Sequence, residues 1–332
     1  MSTFGVSIIG CGLIGLKRSA ALCGCELRWC IDTNLVSAQA LAARYKDVRS
    51  SSDVSMALSD PETRLVIVAT PNDSLSNLAI QALSAGKDVL VEKPAGRSAE
   101  EISHIIEAAK RSGGLVRVGF NHRYHPALLK ARALIDEGAI GPLMFIRSRY
   151  GHGGRIGYEK EWRANPKISG GGELIDQGVH LIDLSRWFLG DFSEVNGHAQ
   201  TCFWDMPVDD NAFMILRTAE LQTAFLHVSC SEWKNLFSFE IYGRHGKLQI
   251  EGLGGSYGVE RLTWYKMLPE MGPPETTSWE YPQRDTSWER EFEEFLEDVR
   301  LRRAPSSSIH DAYAAVKIVE SIYKRSGYDY RT

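Results

Sequence analysis

Near the start of the chain, Gly10-Cys11-Gly12-Leu13-Ile14-Gly15 forms a G-x-G-x-x-G run between an apolar stretch and a helical one, with an acid, Asp32, about 20 residues further on. Each glycine of such a run has its own task. Gly10 permits a tight turn, Gly12 lets the backbone approach a pyrophosphate, and Gly15 lets helix and strand pack closely. The amides of Cys11, Leu13 and Ile14 at the helix start then face the phosphates. Asp32 can accept hydrogen bonds from the adenosine ribose hydroxyls and repel a 2′-phosphate. Thr33 and Asn34 follow it, with no arginine beside it, which favours NAD over NADP. The competing readings are a glycine turn that binds no dinucleotide, and an aspartate that only caps the next helix.

Two further groups have chemistry in them. Glu92-Lys93-Pro94 follows the apolar run Val89–Val91. A lysine just beyond a buried parallel strand can reach a ligand at the carboxyl edge of the sheet, and it can equally be a solvated strand end. Farther on, Gly170-Gly171-Gly172 opens a segment in which Asp176 and His180 lie four apart and so share a helical face with Asp183 and Trp187. Leu174, Ile175, Leu181, Ile182 and Phe188 gather on the opposite face. A polar face is usually solvated, whereas a triple glycine and a tryptophan beside it suit a crevice. The preceding loop, Tyr150 to Tyr158 and on to Arg163, mixes aromatic rings with arginines. Trp162 suits a sugar ring, while Arg155 and Arg163 suit a carboxylate or phosphate. Packing and ion pairing within the protein would use the same residues. His122 and His125 have no third ligand nearby in sequence, so no metal is expected.

These groups need a frame. Short apolar runs at Val6–Ile9, Leu27–Ile31, Leu65–Ala69, Val89–Val91 and Leu115–Gly119, with a weaker one near Val48, alternate with helical stretches. The helical stretches are Ile14–Leu22, Val36–Tyr45, Ser74–Ala85 and Ala99–Arg111. Uniformly apolar strands separated by crossover helices predict an α/β Rossmann-type, doubly wound parallel sheet. After Pro126 a helix (Ala127–Glu137), a strand (Leu143–Tyr150) and a helix from Glu173 to Leu189 precede strands with no crossover helices. Those strands, Glu194–Phe203, Asn211–Thr218, Gln222–Ser231, Leu236–Gly243 and Lys247–Glu251, predict an α+β domain with a mostly antiparallel sheet. Leu268–Thr286 reads as a surface loop, and helices at Glu289–Leu301 and His310–Ser326 close the chain. The expected domains are 1–122 and 123–332, the closing helices belonging to the second.

Composition narrows the class. The 332 residues suit two domains. The net charge of −4 leaves no dominant basic surface, which argues against a nucleic-acid partner. The longest apolar runs fall far short of the ~20 residues a membrane helix needs. The start of the chain lacks the pattern of a signal peptide, so a cytoplasmic location is expected. The six cysteines lack paired C-x-x-C spacing and are expected to be reduced thiols.

The glycine motif, Thr70-Pro71-Asn72, Glu92-Lys93-Pro94 and the Gly-Gly-Gly-x-x-x-Asp-x-x-x-His segment together resemble the Gfo/Idh/MocA oxidoreductases. The similarity runs over essentially the whole chain, with one departure at Leu75, where many members place histidine. The resemblance implies an open-faced sheet in the second domain and hydride transfer between a nicotinamide and a secondary alcohol or ketone. The substrate would be a sugar, polyol or sugar derivative, including nucleotide-linked or acidic ones. It implies that Lys93 contacts substrate and nicotinamide ribose, that Asp176 holds the substrate, and that His180 donates or accepts the proton. Thr70, Asn72 and Glu92 would line the nicotinamide half of the cofactor, and Arg123 would face the cleft. A homodimer or homotetramer through the second-domain sheet is expected. Two other classes occur among such proteins or fit such a fold: an NAD-dependent glycoside hydrolase, and a non-catalytic sensor of a dinucleotide or sugar. The sensor reading expects loss of the lysine or histidine, and both are present.

Overall fold

In the computed structural model, which describes residues 4–328, the chain divides into two compact units. Of the described residues, the first comprises 4–120 and 288–316 and the second 121–287 and 317–328.

The first unit runs β1 (Gly5–Ile9), α1 (Leu13–Ala20), β2 (Glu26–Ile31), α2 (Leu35–Ala42), β3 (Arg49–Ser51), α3 (Ser55–Leu58), β4 (Thr63–Val68), α4 (Asn72–Ser84), β5 (Asp88–Val91), α5 (Ala99–Ser112) and β6 (Val116–Val118). All six strands are parallel, in the order β3-β2-β1-β4-β5-β6. This is the doubly wound order, and it fixes where the sequence motifs fall. The glycine run follows β1, Asp32 follows β2, Thr70 follows β4 and Glu92-Lys93 follows β5. Four neighbouring strands therefore deliver these residues to one carboxyl edge. Val6, Ile8, Leu65, Ile67 and Leu90 are fully buried, as strands covered on both faces must be.

The second unit holds α6 (Pro126–Asp136), β7 (Leu143–Gly151), α7 (Pro166–Ser169), α8 (Val179–Leu189), β8 (Phe192–Gln200), β9 (Asn211–Thr218), β10 (Thr223–Ser229), β11 (Leu236–Gly243), β12 (Gly246–Glu251), β13 (Glu260–Lys266) and β14 (Glu275–Tyr281). Its eight strands are ordered β14-β13-β12-β11-β7-β10-β9-β8, and only β7 and β10 pair in parallel. One face buries Ile146, Tyr150, Met214, Leu226, Phe237, Phe239 and Leu248. The other exposes Phe145, Phe213, Ile215 and Phe225.

Three expectations need correction. The segment read as a surface loop, Leu268–Thr286, contains β14, an edge strand whose exposed residues carry no apolar alternation. β13 was not expected at all, because its inward residue Glu260 is charged; the carboxylate takes Ala127 N at 2.7 Å and His125 Nδ1 at 3.0 Å. The closing helices do not stay together with the second domain. In α9 (Ser287–Leu301), Phe292, Phe295, Leu296 and Val299 join the core of Val6, Ile8 and Leu41. α10 (Ile309–Ser326) follows it, and residues from 317 onward group with the second unit.

Candidate active site

Three different constraints act on the glycine run. Gly10 has φ +97, and a Cβ there would lie 2.4 Å from the Ala69 carbonyl oxygen. At Gly15 the Cβ would lie 2.0 Å from the Gly10 oxygen. At Gly12, which caps α1, a Cβ would meet nothing within 4 Å. The protein itself therefore gives no reason for glycine at position 12. A ligand backed against the exposed helix start does, and a pyrophosphate fits that need. Leu13 is 70% exposed at the same helix start, whereas the Cys11 side chain turns inward. Its thiol is raised above the usual range by a hydrogen bond with Cys30 and by burial, so it stays protonated. All six cysteines are free.

Asp32 is not the helix cap. Asn34 caps α2, accepting from Val36 N at 3.1 Å. Asp32 instead braces the glycine loop: its Oδ2 accepts from Cys11 N and its Oδ1 from Asn34 N, each at 2.8 Å. The carboxylate is half-buried, and each oxygen retains acceptor capacity for ribose hydroxyls.

A stability–affinity split tests this reading of the glycines. Gly12→Ala is expected to keep the unfolding free energy within about 0.5 kcal/mol while weakening NAD binding roughly tenfold or more, or by at least ~1.4 kcal/mol. Gly15→Ala is expected to cost ~1–3 kcal/mol of stability through overpacking. Denaturant unfolding and an NAD titration check both, and unchanged affinity in Gly12→Ala would contradict the reading.

Thr70 and Lys93 are half-buried, Asn72 and Glu92 buried. Ser74 Oγ donates to Thr70 Oγ1 at 2.8 Å in the first turn of α4. Glu92 has a structural partner that the sequence did not disclose. Its Oε1 accepts from Arg18 Nε at 2.6 Å, and Arg18 also reaches Glu291 Oε2 at 2.5 Å. Arg18 and Glu291 are completely buried. The acid of Glu-Lys-Pro thus anchors the end of β5, and Lys93 follows directly.

In the second unit the segment before α8 is a turn of π-helix, Leu174–Gly178, continuing into α8 without a break. Such single turns recur at functional sites. The triple glycine is explained by packing. Gly170 ends α7 with φ +77, a Cβ on Gly171 would lie 2.3 Å from the Tyr323 hydroxyl, and one on Gly172 would lie 1.9 Å from the Asp209 carbonyl oxygen. Asp209, absent from the residues singled out by sequence, holds this start in place. Its Oδ1 accepts from Gly172 N at 2.9 Å and Tyr323 Oη at 2.7 Å, and its Oδ2 from Leu174 N at 2.8 Å.

Burial pushes the Asp209 carboxyl up to about 6, against the pull of Tyr323 and the two amides. The unfolded value is about 3.9, so the folded chain holds this proton more tightly. The group's contribution therefore falls by an order of 2 kcal/mol as pH rises from about 4 to about 6. Between pH 5 and pH 7 the wild type is expected to lose stability relative to Asp209→Asn, and parallel urea midpoints would contradict this.

The polar face of α8 is buried, which settles one open reading. His180 is 4% exposed and Asp183 1%. Arg123, itself buried, donates from Nε to Asp183 Oδ2 at 2.8 Å, and a second nitrogen reaches Oδ1. Its guanidinium is thus committed to the helix. Asp176 is half-buried and accepts from Arg163 Nε at 3.0 Å, and Arg163 in turn lies over the Trp162 ring. Arg155 is exposed and pairs with Glu161. Tyr150 and Tyr158 stay un-ionised, raised chiefly by burial and further by Glu173 and Asp176 nearby. The His180 ring stacks on His122, centroids 3.7 Å apart and planes 18° from parallel.

Residues 4–120 match the oxidoreductase family with an NAD-binding Rossmann fold, and residues 128–249 match the GFO/IDH/MocA C-terminal domain. The chain belongs to the Gfo/Idh/MocA family of oxidoreductases, and its first unit is an NAD-binding domain. Levoglucosan dehydrogenase of Pseudarthrobacter phenanthrenivorans is 28% identical over 286 residues, covering 75% of this chain and 73% of its own. An inositol 2-dehydrogenase of Acidothermus cellulolyticus is 26% identical over 325 residues, covering 93% and 89%. A solved structure of levoglucosan dehydrogenase with NADH and L-sorbose is 25% identical with a TM-score of 0.85, covering 98% of both chains. Among the described residues, no helix is long and apolar enough to cross a membrane.

Proposed function

We propose that this chain is an NAD(H)-dependent dehydrogenase that interconverts a secondary alcohol and a ketone on an uncharged sugar, anhydrosugar or polyol. The observation that carries the reading is the buried His180, held on a π-turn and helix whose neighbouring acids each have a cation. An imidazole buried at this position suits removal of a hydroxyl proton near pH 7. Lys93 stabilises the alkoxide that develops as the proton leaves. Asp176, tied to Arg163, orients the substrate hydroxyls. Arg123 positions α8 rather than the substrate.

Gly10, Gly12 and the amides of Leu13 and Ile14 hold the pyrophosphate, Asp32 the adenosine ribose, and Thr70, Asn72 and Lys93 the nicotinamide half. NAD supplies the hydride acceptor, and the protein supplies position and field. Substrates of the levoglucosan and inositol kind suit this site better than sugar acids or nucleotide-sugars. The two arginines expected to meet an anion are engaged by Glu161 and Asp176. Comparing kcat/KM for levoglucosan and inositols with that for hexuronic acids tests this. Faster turnover of the uncharged set is expected, and a preference for the acids would overturn it.

The exposed row of Phe145, Phe213, Ile215 and Phe225 supports a second copy of this chain as the cover for that sheet face. Light scattering is expected to give a multiple of the chain mass, and a monomer would contradict this.

A further inference from the structure

Three loops leave the same end of the eight-stranded sheet: residues 152–158 after β7, 201–205 after β8 and 230–235 after β10. They lock together. His152 N donates to Ser229 O and Glu232 N to His152 O, each at 3.0 Å. Buried Asp210 gathers the middle loop, its Oδ1 accepting from Cys202 N at 2.7 Å and its Oδ2 from Phe203 N at 2.7 Å and Trp204 N at 2.9 Å. Trp204 Nε1 donates to Cys230 O at 2.8 Å, and a Cβ on Gly154 would lie 2.4 Å from the Trp204 ring. Beneath the loops Tyr158, Ala164, Met206, Val208 and Cys230 form a small core of their own.

Two rings stand on this base and face water. Phe203 is 52% exposed and Trp233 71%, edge to face with centroids 4.7 Å apart. Trp233 holds φ +60, a left-handed conformation that is strained for a bulky side chain and free for glycine. Packing does not ask for tryptophan there, whereas a ligand laid on the ring does. Aromatic faces suit the apolar face of a sugar ring, and the base joins the residues assigned above to the substrate. Tyr158 lies 5.6 Å from Trp204 and feels the charges of Asp176 and Arg163. Ala164 follows Arg163, whose Nε donates to Asp176 at 3.0 Å. Asp209, which holds the start of the π-turn, directly precedes Asp210. One short stretch of chain therefore fastens both the turn that carries Asp176 and the loop that carries Phe203.

We propose that Phe203 and Trp233 form a second sugar subsite in the second unit, so that the substrate is an uncharged glycoside of two or more linked rings. One ring lies at Asp176 and His180, and a further ring stacks on Trp233 and against Phe203. The subsite adds affinity for the longer sugar and takes no part in hydride or proton transfer. The proposal rests on the reading of Asp176 and His180 as the reacting end of the substrate site.

Two measurements on the whole protein test the subsite, each with the wild type, Trp233→Gly and Phe203→Ala. Saturation-transfer NMR of the NADH-bound protein with cellotriose and with maltotriose reads contact without turnover. Specificity constants for glucose, the two matching disaccharides and the two trisaccharides read its use. The wild type is expected to favour at least one oligosaccharide series over glucose and to show saturation transfer to it. Both variants are expected to lose about tenfold or more in kcat/KM for that series, and less than about twofold for glucose. Trp233→Gly is expected to unfold at the wild-type urea midpoint or above it, which separates loss of the ring from loss of the fold. No saturation transfer to either trisaccharide, or an oligosaccharide-to-glucose ratio that both variants leave unchanged, overturns the proposal. A smaller assembly by light scattering in Trp233→Gly, with that ratio unchanged, assigns the rings to a second copy of the chain and also overturns it. Saturation transfer that needs Trp233, with no NADH formed from any sugar, would keep the subsite and overturn the dehydrogenase reading instead.

Discussion

His180→Asn is expected to lower kcat for alcohol oxidation by roughly 10²–10⁴-fold, the span that a positioned general base contributes. Asparagine keeps the size and polarity of the side chain while removing the group that takes the proton. The loss should therefore appear in kcat, and NAD should bind with unchanged affinity, because the glycine loop around Gly12 and Asp32 lies wholly in the other unit. Steady-state kinetics beside an NAD titration separate the two effects. A variant that retains more than about a tenth of the wild-type kcat would remove His180 from the chemistry.

Arg18→Met should be the most damaging single change to the stability of the first unit. Arg18 is fully buried between Glu92 and Glu291, and methionine fills similar volume without a charge. Removing one partner of a buried ion pair typically costs ~3–5 kcal/mol, because the remaining charge stays out of water. Here two acids are left behind. Burial already raises Glu291, and losing its cation would raise it further. The exposed pair Arg155–Glu161 is the control: Arg155→Ala should cost no more than about 1 kcal/mol. Urea unfolding of both variants checks the contrast. Equal losses would mean that the buried network contributes no more than a surface pair.

The parallel sheet of the first unit was almost wholly legible in the sequence, and the reason is physical. Strands covered by helices on both faces must be short and uniformly apolar, so β1, β2, β4 and β5 stand out within one or two residues of their bounds. Gly10 and Gly15 were equally readable, since backbone conformation and close approach demand them. What escaped reading has the opposite character. β14 buries little and β13 hides a carboxylate, so neither shows an apolar period. Arg18, Glu291 and Asp209 are charged residues inside a core, and their partners lie 74, 273 and 114 positions away. No local pattern announces a pairing over such distances. Lys93, Asp176 and His180 were singled out by motif order. That the glycines before Asp176 answer to Asp209 and Tyr323 became visible only with the fold.

The most direct test of the central claim is NADH formation by the purified protein with NAD and a panel of uncharged sugars and polyols, measured beside Lys93→Ala. NADH appearing in proportion to a ketone product, and abolished in the variant, is the predicted result. An absence of NADH across the panel, together with no binding of NAD to the wild type, would contradict the account.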